Sequence, residues 1–215
     1  MVDNPDGSQD RIIFGNNVPA PNALTFDEAG NLYFSDSFQG AIFRIDDVAS
    51  CSDCAPITVI QDGLLATTGF PPFGANGLAL DKNETTLFIA NTGDDRILTI
   101  DLETNDIYVF AESIDGADGI TFDNKGNLWV AANQADQILV LNDNALVIAK
   151  LGEYLGIQND GSNRGLLFPA SLAIKGKWVY VTNLALPLTP TEGDEPEENI
   201  SKYTISRIKI PQTFD

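Results

Sequence analysis

Ala75-Asn76-Gly77-Leu78-Ala79-Leu80-Asp81 is followed shortly by Thr86-Leu87-Phe88-Ile89-Ala90-Asn91. Further along, Ala117-Asp118-Gly119-Ile120-Thr121-Phe122-Asp123 is followed by Gly126-Asn127-Leu128-Trp129-Val130-Ala131-Ala132-Asn133. The two phrases are copies of one motif. Upstream, Pro21-Asn22-Ala23-Leu24-Thr25-Phe26-Asp27 with Gly30-Asn31-Leu32-Tyr33-Phe34-Ser35-Asp36 is a third copy. Downstream, Pro169-Ala170-Ser171-Leu172-Ala173-Ile174 with Lys177-Trp178-Val179-Tyr180-Val181-Thr182-Asn183 is a looser fourth. From Asn22 to Asn76 is 54 positions, from Asn76 to Asp118 is 42, and from Asp118 to Ser171 is 53. Periods of that size belong to propeller blades with loop insertions.

Each copy repeats one grammar. A short apolar run ends in a polar turn such as Asp27-Glu28-Ala29-Gly30 or Asp123-Asn124-Lys125-Gly126. A β-branched and aromatic run follows. A third run comes next, as in Ala41–Ile45, Arg96–Ile100 and Gln137–Leu141, and then a fourth, as in Ile57–Ile60, Ile107–Phe110 and Leu146–Ala149. Short runs separated by turn residues are strands joined as hairpins. Helical spacing is nearly absent, so the fold class is all-β, a β-propeller of four-stranded antiparallel blades. The chain reads as a single propeller domain over 1–215, with blades starting near 21, 75, 117 and 169.

The fourth copy has Tyr203–Ile210 as its third strand and no fourth strand after it. Arg11-Ile12-Ile13-Phe14 precedes the first full copy and reads either as the last strand of an upstream blade or as a ring-closing strand. Four blades close a ring only tightly. The reading adopted is that the four belong to a larger ring, whose earlier blades lie upstream.

In antiparallel blades, the residues opening the first strand and those closing the second meet at one end. The openers are Asn22, Asn76, Asp118 and Ser171, and the closers are Asp36, Asn91, Asn133 and Asn183. Together they form rings of amide and carboxylate oxygens around the mouth of a central channel. Hard oxygen donors suit calcium or magnesium better than zinc or copper. Asp118 is the candidate general base beside such an ion. Asn and Asp also open strands simply because they satisfy local turn groups. Two long connections lie over the same mouth. Gln61 to Ala75 carries Phe70-Pro71-Pro72-Phe73, and Leu155 to Phe168 carries Arg164. Phe70, Phe73 and Phe168 either wall a pocket or cap the core. Arg164 is a cation near the mouth that could meet a polarised oxygen.

Composition narrows the chemistry. The 215 residues are 43% hydrophobic, a globular value, with a net charge of −19. Such acidity argues against nucleic acid and anionic membrane surfaces as partners. A small-molecule substrate and a monomeric state are the expectation. There is no histidine, which excludes histidine-based triads and HExxH zinc sites. Cys51-Ser52-Asp53-Cys54 reads as a loop-clamping disulfide or two free thiols. A disulfide would point to an oxidising compartment, so a soluble secreted or periplasmic protein is the favoured reading. Asn83-Glu84-Thr85 and Asn199-Ile200-Ser201 are glycosylation sequons, meaningful only in a eukaryotic secreted protein. The acidic run Gly193–Glu198 reads as a solvated loop, with a second cation site as the sharper alternative.

The phrases at Asn22, Asn76 and Asp118, with Phe168–Ala173 and Trp178–Asn183, resemble the regucalcin/gluconolactonase family. That resemblance implies a six-bladed propeller with a divalent ion in its channel, calcium first, with magnesium, manganese or zinc as substitutes. It also implies a lactonase-type hydrolase acting on a sugar lactone or related ester. Asn76 and Asp118 match metal-ligand positions, Asp118 also matches the base, and Asn22 matches an asparagine facing metal or substrate. Asn22, Asn91, Asn133, Arg164, Phe70 and Phe73 are the substrate-binding candidates. The family draws a glutamate ligand from its first blade, and nothing before Asn22 supplies one. NHL-repeat propellers use similar phrases without hydrolysis, which makes a non-catalytic binding module the competing reading.

Overall fold

A computed structural model of the chain describes residues 2–3, 9–10, 18, 20–50 and 54–211. Arg11–Phe14 and Cys51 lie outside the described residues. A two-residue ladder joins Val2–Asp3 (β1) to Gln9–Asp10 (β2). The first blade follows as Pro21–Phe26 (β3), Leu32–Asp36 (β4), Ala41–Ile45 (β5) and Ile57–Gln61 (β6). The second is Ala75–Leu80 (β7), Thr86–Asn91 (β8), Arg96–Asp101 (β9) and Ile107–Glu112 (β10). The third is Ala117–Phe122 (β11), Leu128–Ala132 (β12), Gln137–Leu141 (β13) and Val147–Leu151 (β14). Each is a four-stranded antiparallel meander. The fourth blade has three strands, Pro169–Lys175 (β17), Trp178–Asn183 (β18) and Ile205–Lys209 (β19). The connection read as a long loop ahead of it contains a small hairpin of its own, Tyr154–Ile157 (β15) against Asn163–Gly165 (β16).

The hairpins follow from turn chemistry. Asp123 Oδ1 accepts the backbone N–H groups of Lys125 and Asn127, while Gly126 adopts φ +83°. Asp27 and Asp81 serve the equivalent turns in the two preceding blades. An aspartate that satisfies turn N–H groups, with a glycine where φ is positive, makes a reversal cheap.

Among the described residues the core is three slabs, each pressed between consecutive blades, and a smaller fourth cluster of Leu32, Phe34 and Ile45 on the first blade. Residues of one strand alternate between two slabs, as the period of two requires. Leu87 and Ile89 pack toward the first blade, whereas Phe88 and Ala90 pack toward the third. Leu128 and Val130 pack toward the second blade, whereas Trp129 and Ala131 pack toward the fourth. A strand sandwiched in this way must be apolar on both faces, which is why these runs do not alternate with polar residues. The innermost strands pack in sequence, β3 on β7, β7 on β11 and β11 on β17. No comparable packing joins β3 to β17 among the described residues. The four blades therefore form an arc, with exposed apolar side chains such as Leu24, Phe26 and Ile205 on its flanks.

Candidate metal and substrate site

The bulge at the start of each first strand sets the site. Between Ala75, paired with Asn91, and Leu78, paired with Ile89, β7 carries one residue more than its partner. The same irregularity recurs between Pro21 and Leu24 and between Ala117 and Ile120. A bulge re-aims the side chain it carries. Asn22, Asn76 and Asp118 all sit there, and all three line one cavity of about 530 Å³ bounded by the four innermost strands.

Gly77 and Gly119 let the strands close around it. A Cβ at Gly77 would lie 2.1 Å from the Asp118 carbonyl oxygen, and one at Gly119 would lie 2.6 Å from that of Ala170. The Asn-Gly and Asp-Gly phrases thus join a polar side chain facing the cavity to a residue that lets the next backbone approach.

Each polar opener is held by the residue just beyond the second strand or at its limit. Asn22 Nδ2 donates to Ser37 Oγ at 2.9 Å, and Asn76 Nδ2 donates to Thr92 Oγ1 at 2.9 Å. Both hydroxyls pass their own proton to the next blade, Ser37 to the Ala75 carbonyl and Thr92 to the Ala117 carbonyl. With the amide nitrogens so engaged, the amide oxygens are the free donors. In the third blade the opener is a carboxylate, and its partner changes type accordingly. Asn133 Nδ2 donates to Asp118 Oδ2 at 3.2 Å. A donor amide is held by a hydroxyl acceptor, and an acceptor carboxylate by a donor amide. Asn133 is buried, and its Oδ1 has no hydrogen-bond partner.

Asp118 is half-buried at the cavity floor. Burial pushes its carboxyl up to about 7, against the opposing hydrogen bonds of Asn133 and Asn76. A cation beside it would relieve that desolvation cost. One carboxylate and two amide oxygens form a hard donor set, which fits a calcium-like ion whose remaining positions are filled by water or ligand oxygen. Among the described residues the lining includes no second carboxylate. Asp118, Asn76 and Asn22 are the residues that would hold such an ion.

Register moves two sequence assignments by one position. Asn133 is level with Ser37 and Thr92, while Ala132, paired with Ala117, occupies the closing position. In the fourth blade Pro169 pairs with Asn183, which makes Ala170 the equivalent of Asn22, and Ser171 the equivalent of Ala23. The fourth blade thus offers an alanine where the other three offer a polar opener. Ser171 nevertheless lines the cavity.

The remaining closers lie behind the cavity and anchor the chain entering their own blade. Asp36 Oδ2 accepts the Ala20 N–H. Asn91 is fully buried, and its Nδ2 donates to the carbonyls of Leu64 and Ala66, both at 2.9 Å. Asn183 Oδ1 accepts the Leu167 N–H. Asn91 therefore acts on the cavity through the 62–74 connection, which brings Pro71 and Phe73 to its wall. Phe168, whose N–H is held by Asp136 Oδ1, forms part of the opposite wall with Leu184 and Leu186. Phe70 is 58% exposed and outside the lining. Arg164 is exposed on β16, also outside the lining. The carboxylates of Asp194, Glu195 and Glu198 do converge in the 191–199 loop, but Glu195 and Glu198 oxygens accept loop backbone N–H groups there. Ser37 and Thr92 were missed by sequence reasoning. Their signal was a polar residue immediately after each closer, Asp36-Ser37 and Asn91-Thr92.

Residues 61–151, the second and third blades, match the profile of the SMP-30/Gluconolactonase/LRE-like region. A search of curated proteins gave no match. Among solved structures, a gluconolactonase from Xanthomonas campestris aligns with a TM-score of 0.58 at 15% identity, over 84% of this chain and 60% of its own. The calcium-binding protein regucalcin from Agrobacterium tumefaciens aligns at 0.56 and 17%, over 75% and 52%. Virginiamycin B lyase from Staphylococcus aureus aligns at 0.54 and 17%, over 84% and 55%. The chain spans between about half and three-fifths of these neighbours' lengths. At these identities the likeness is one of fold. The described residues form a β-propeller of four blades, of which the second and third match an SMP-30/gluconolactonase/LRE-like region.

Proposed function

We propose that this chain is a divalent-metal-dependent hydrolase of the gluconolactonase type, acting on a lactone or related ester. The observation that carries the reading is the convergence of Asn22, Asn76 and Asp118 on one cavity, each oriented by its own hydrogen-bond partner. A calcium-like ion would supply Lewis acidity toward a carbonyl oxygen. Asp118 takes the proton of the attacking water, a task open to a carboxylate that faces the cavity. Asn133 holds that carboxylate in place. Phe73, Phe168 and Leu184 keep bulk water from the reacting ester. Among the described residues no lysine or arginine lines the cavity, which suits a neutral ester rather than an anion.

The test is metal content after purification, read beside turnover of simple lactones with and without chelator. Turnover is expected to fall on chelation and return with calcium. Asp118→Asn is expected to lose roughly 100-fold or more in kcat, the usual scale of a lost general base. If that variant keeps both metal content and turnover, the hydrolase reading is abandoned. A non-catalytic, NHL-like ligand-binding propeller is then the reading that stands, and Ala170 in the fourth opener position speaks for it.

A further inference from the structure

A second cavity of about 530 Å³ opens at the opposite ends of the same blades, in the cleft between the second and third. Its apolar lining includes three phenylalanines from three strands, Phe88 on β8, Phe110 on β10 and Phe122 on β11. Phe88 stands between the others. Its ring makes an angle of 79° with that of Phe110, at 5.1 Å between centroids, and 86° with that of Phe122, at 5.0 Å. Two rings crossing the plane of a third outline an open aromatic box.

The box is specific to this cleft. Phe110 is the bulged residue of its strand, and the corresponding bulged residues are Val59 in the first blade and Ile148 in the third. The trio level with Phe88, Phe110 and Phe122 is Tyr33, Val59 and Leu80 in the cleft before, and Trp129, Ile148 and Ile174 in the cleft after. Blade architecture needs apolar side chains there, but the repeat itself does not call for three aromatics.

The rim is acidic. Among the described lining residues, Asp81, Asp123 and Asp143 stand around the mouth against one cation, Lys82. Asp81 and Asp123 are fixed, because backbone N–H groups of their own turns hold their oxygens. Asp143 is exposed, with one oxygen accepting from Asn144 Nδ2. An aromatic box under an anionic rim attracts a cation that sheds its water easily, which a methylated ammonium does and a metal ion does not. We infer that the cleft between the second and third blades binds a quaternary or methylated ammonium group carried on a small molecule.

The probe is choline, titrated against the protein by proton NMR beside its uncharged isostere 3,3-dimethylbutan-1-ol. Choline is expected to bind at least about fivefold more tightly, since the two differ only in the charge that the rings sense. Phe110→Leu keeps apolar bulk on an outer strand and is expected to erase that preference. Asp143→Asn, at an exposed position with no role in the core, is expected to weaken choline and leave the isostere unchanged. Asp118→Asn should leave choline binding as it was, which separates this cleft from the cavity on the other face. Equal affinity for the two probes, or no saturation by choline at millimolar concentration, would overturn the inference. So would choline binding that survives Asp143→Asn in full, or that disappears with Asp118→Asn.

Discussion

The central pair of blades and the two flanking blades share one grammar but live in different surroundings. In the second and third blades, β8 and β12 are buried on both faces. In the fourth, β18 alternates between buried and exposed positions, and in the first, β4 is buried because Val18, Val48 and Cys54 cover its outer face, while the innermost β3 is largely exposed. The repeat therefore encodes the meander, and the neighbour on each side supplies the burial. The most demanding comparison is at one register position, Trp129 in the third blade and Tyr180 in the fourth. Trp129 is fully buried and donates its indole N–H to Asp123 Oδ2 at 3.0 Å, while Tyr180 is 36% exposed. Trp129→Ala is expected to cost about 3–5 kcal/mol of unfolding free energy. Tyr180→Ala is expected to cost less than about 1 kcal/mol. Urea unfolding midpoints of the two variants check this, and similar losses would mean that the flank is packed as tightly as the centre.

Charge separates the centre from the flank as well. Asp118, pushed up to about 7 by burial, sits above its unfolded value of 3.8. Its ionisation penalises the fold fully above about pH 7, and the penalty fades as the pH falls toward 4. With chelator present, Asp118→Asn should be more stable than the parent at pH 8, by at most about 4 kcal/mol, and equal to it near pH 4. Asp36 in the first blade behaves oppositely. Burial raises its carboxyl, but the N–H donors of Ala20, Gln39 and Phe38 outweigh that and hold it below its usual value. Its contribution is present above the unfolded value and is lost as the pH falls through the lower folded one. Asp36→Asn should thus be the less stable protein at pH 7, with the gap narrowing in acid. Thermal midpoints from pH 8 down to about pH 2 read both signs, and two variants moving the same way would remove the distinction.

The close approach of inner strands gives a smaller effect. Gly77→Ala drives a Cβ into the Asp118 carbonyl and is expected to cost about 1–3 kcal/mol. The equivalent first-blade residue is already an alanine, Ala23, and Ala23→Gly should cost only about 0.5–1 kcal/mol.

The blades were legible because their signals are local. Asp-x-x-Gly turns and apolar runs of strand length name themselves in Asp123–Gly126 and Leu128–Ala132. The three-residue core of the site was legible for the same reason, since Asn22, Asn76 and Asp118 open aligned phrases. What sequence missed depends on register. A bulge shifts facing by one residue without leaving a mark in composition. Asn133 was therefore paired with Asn91 when it belongs with Thr92, and Ser171 was given the place that Ala170 holds. Asn91 and Arg164 are polar residues near a mouth in sequence terms, but one faces back toward its own connection and the other rides on a hairpin read as a loop. The aromatic box was invisible because its members come from three strands of two blades.

The subtlest difference between centre and flank lies in the two hydroxyls that hold the asparagines. Thr92 is buried and ties Asn76 to the third blade, while Ser37, also buried, ties the exposed Asn22 to the second. Removing either hydroxyl frees an amide to rotate and leaves a blade-to-blade carbonyl without its donor, at a cost of about 1 kcal/mol. Their effects on the proposed ion should differ. Asn76 is enclosed, so with Thr92→Val water cannot replace Thr92 Oγ1 and the amide turns to Asp118 alone, and calcium affinity should fall about tenfold or more. Asn22 is open to water, which can replace Ser37 Oγ, so Ser37→Ala should weaken calcium by less. Calorimetric titration of both variants orders them. Equal losses would mean that both asparagines are ligands of equal standing, and no loss in either would leave Asp118 as the sole anchor of the ion.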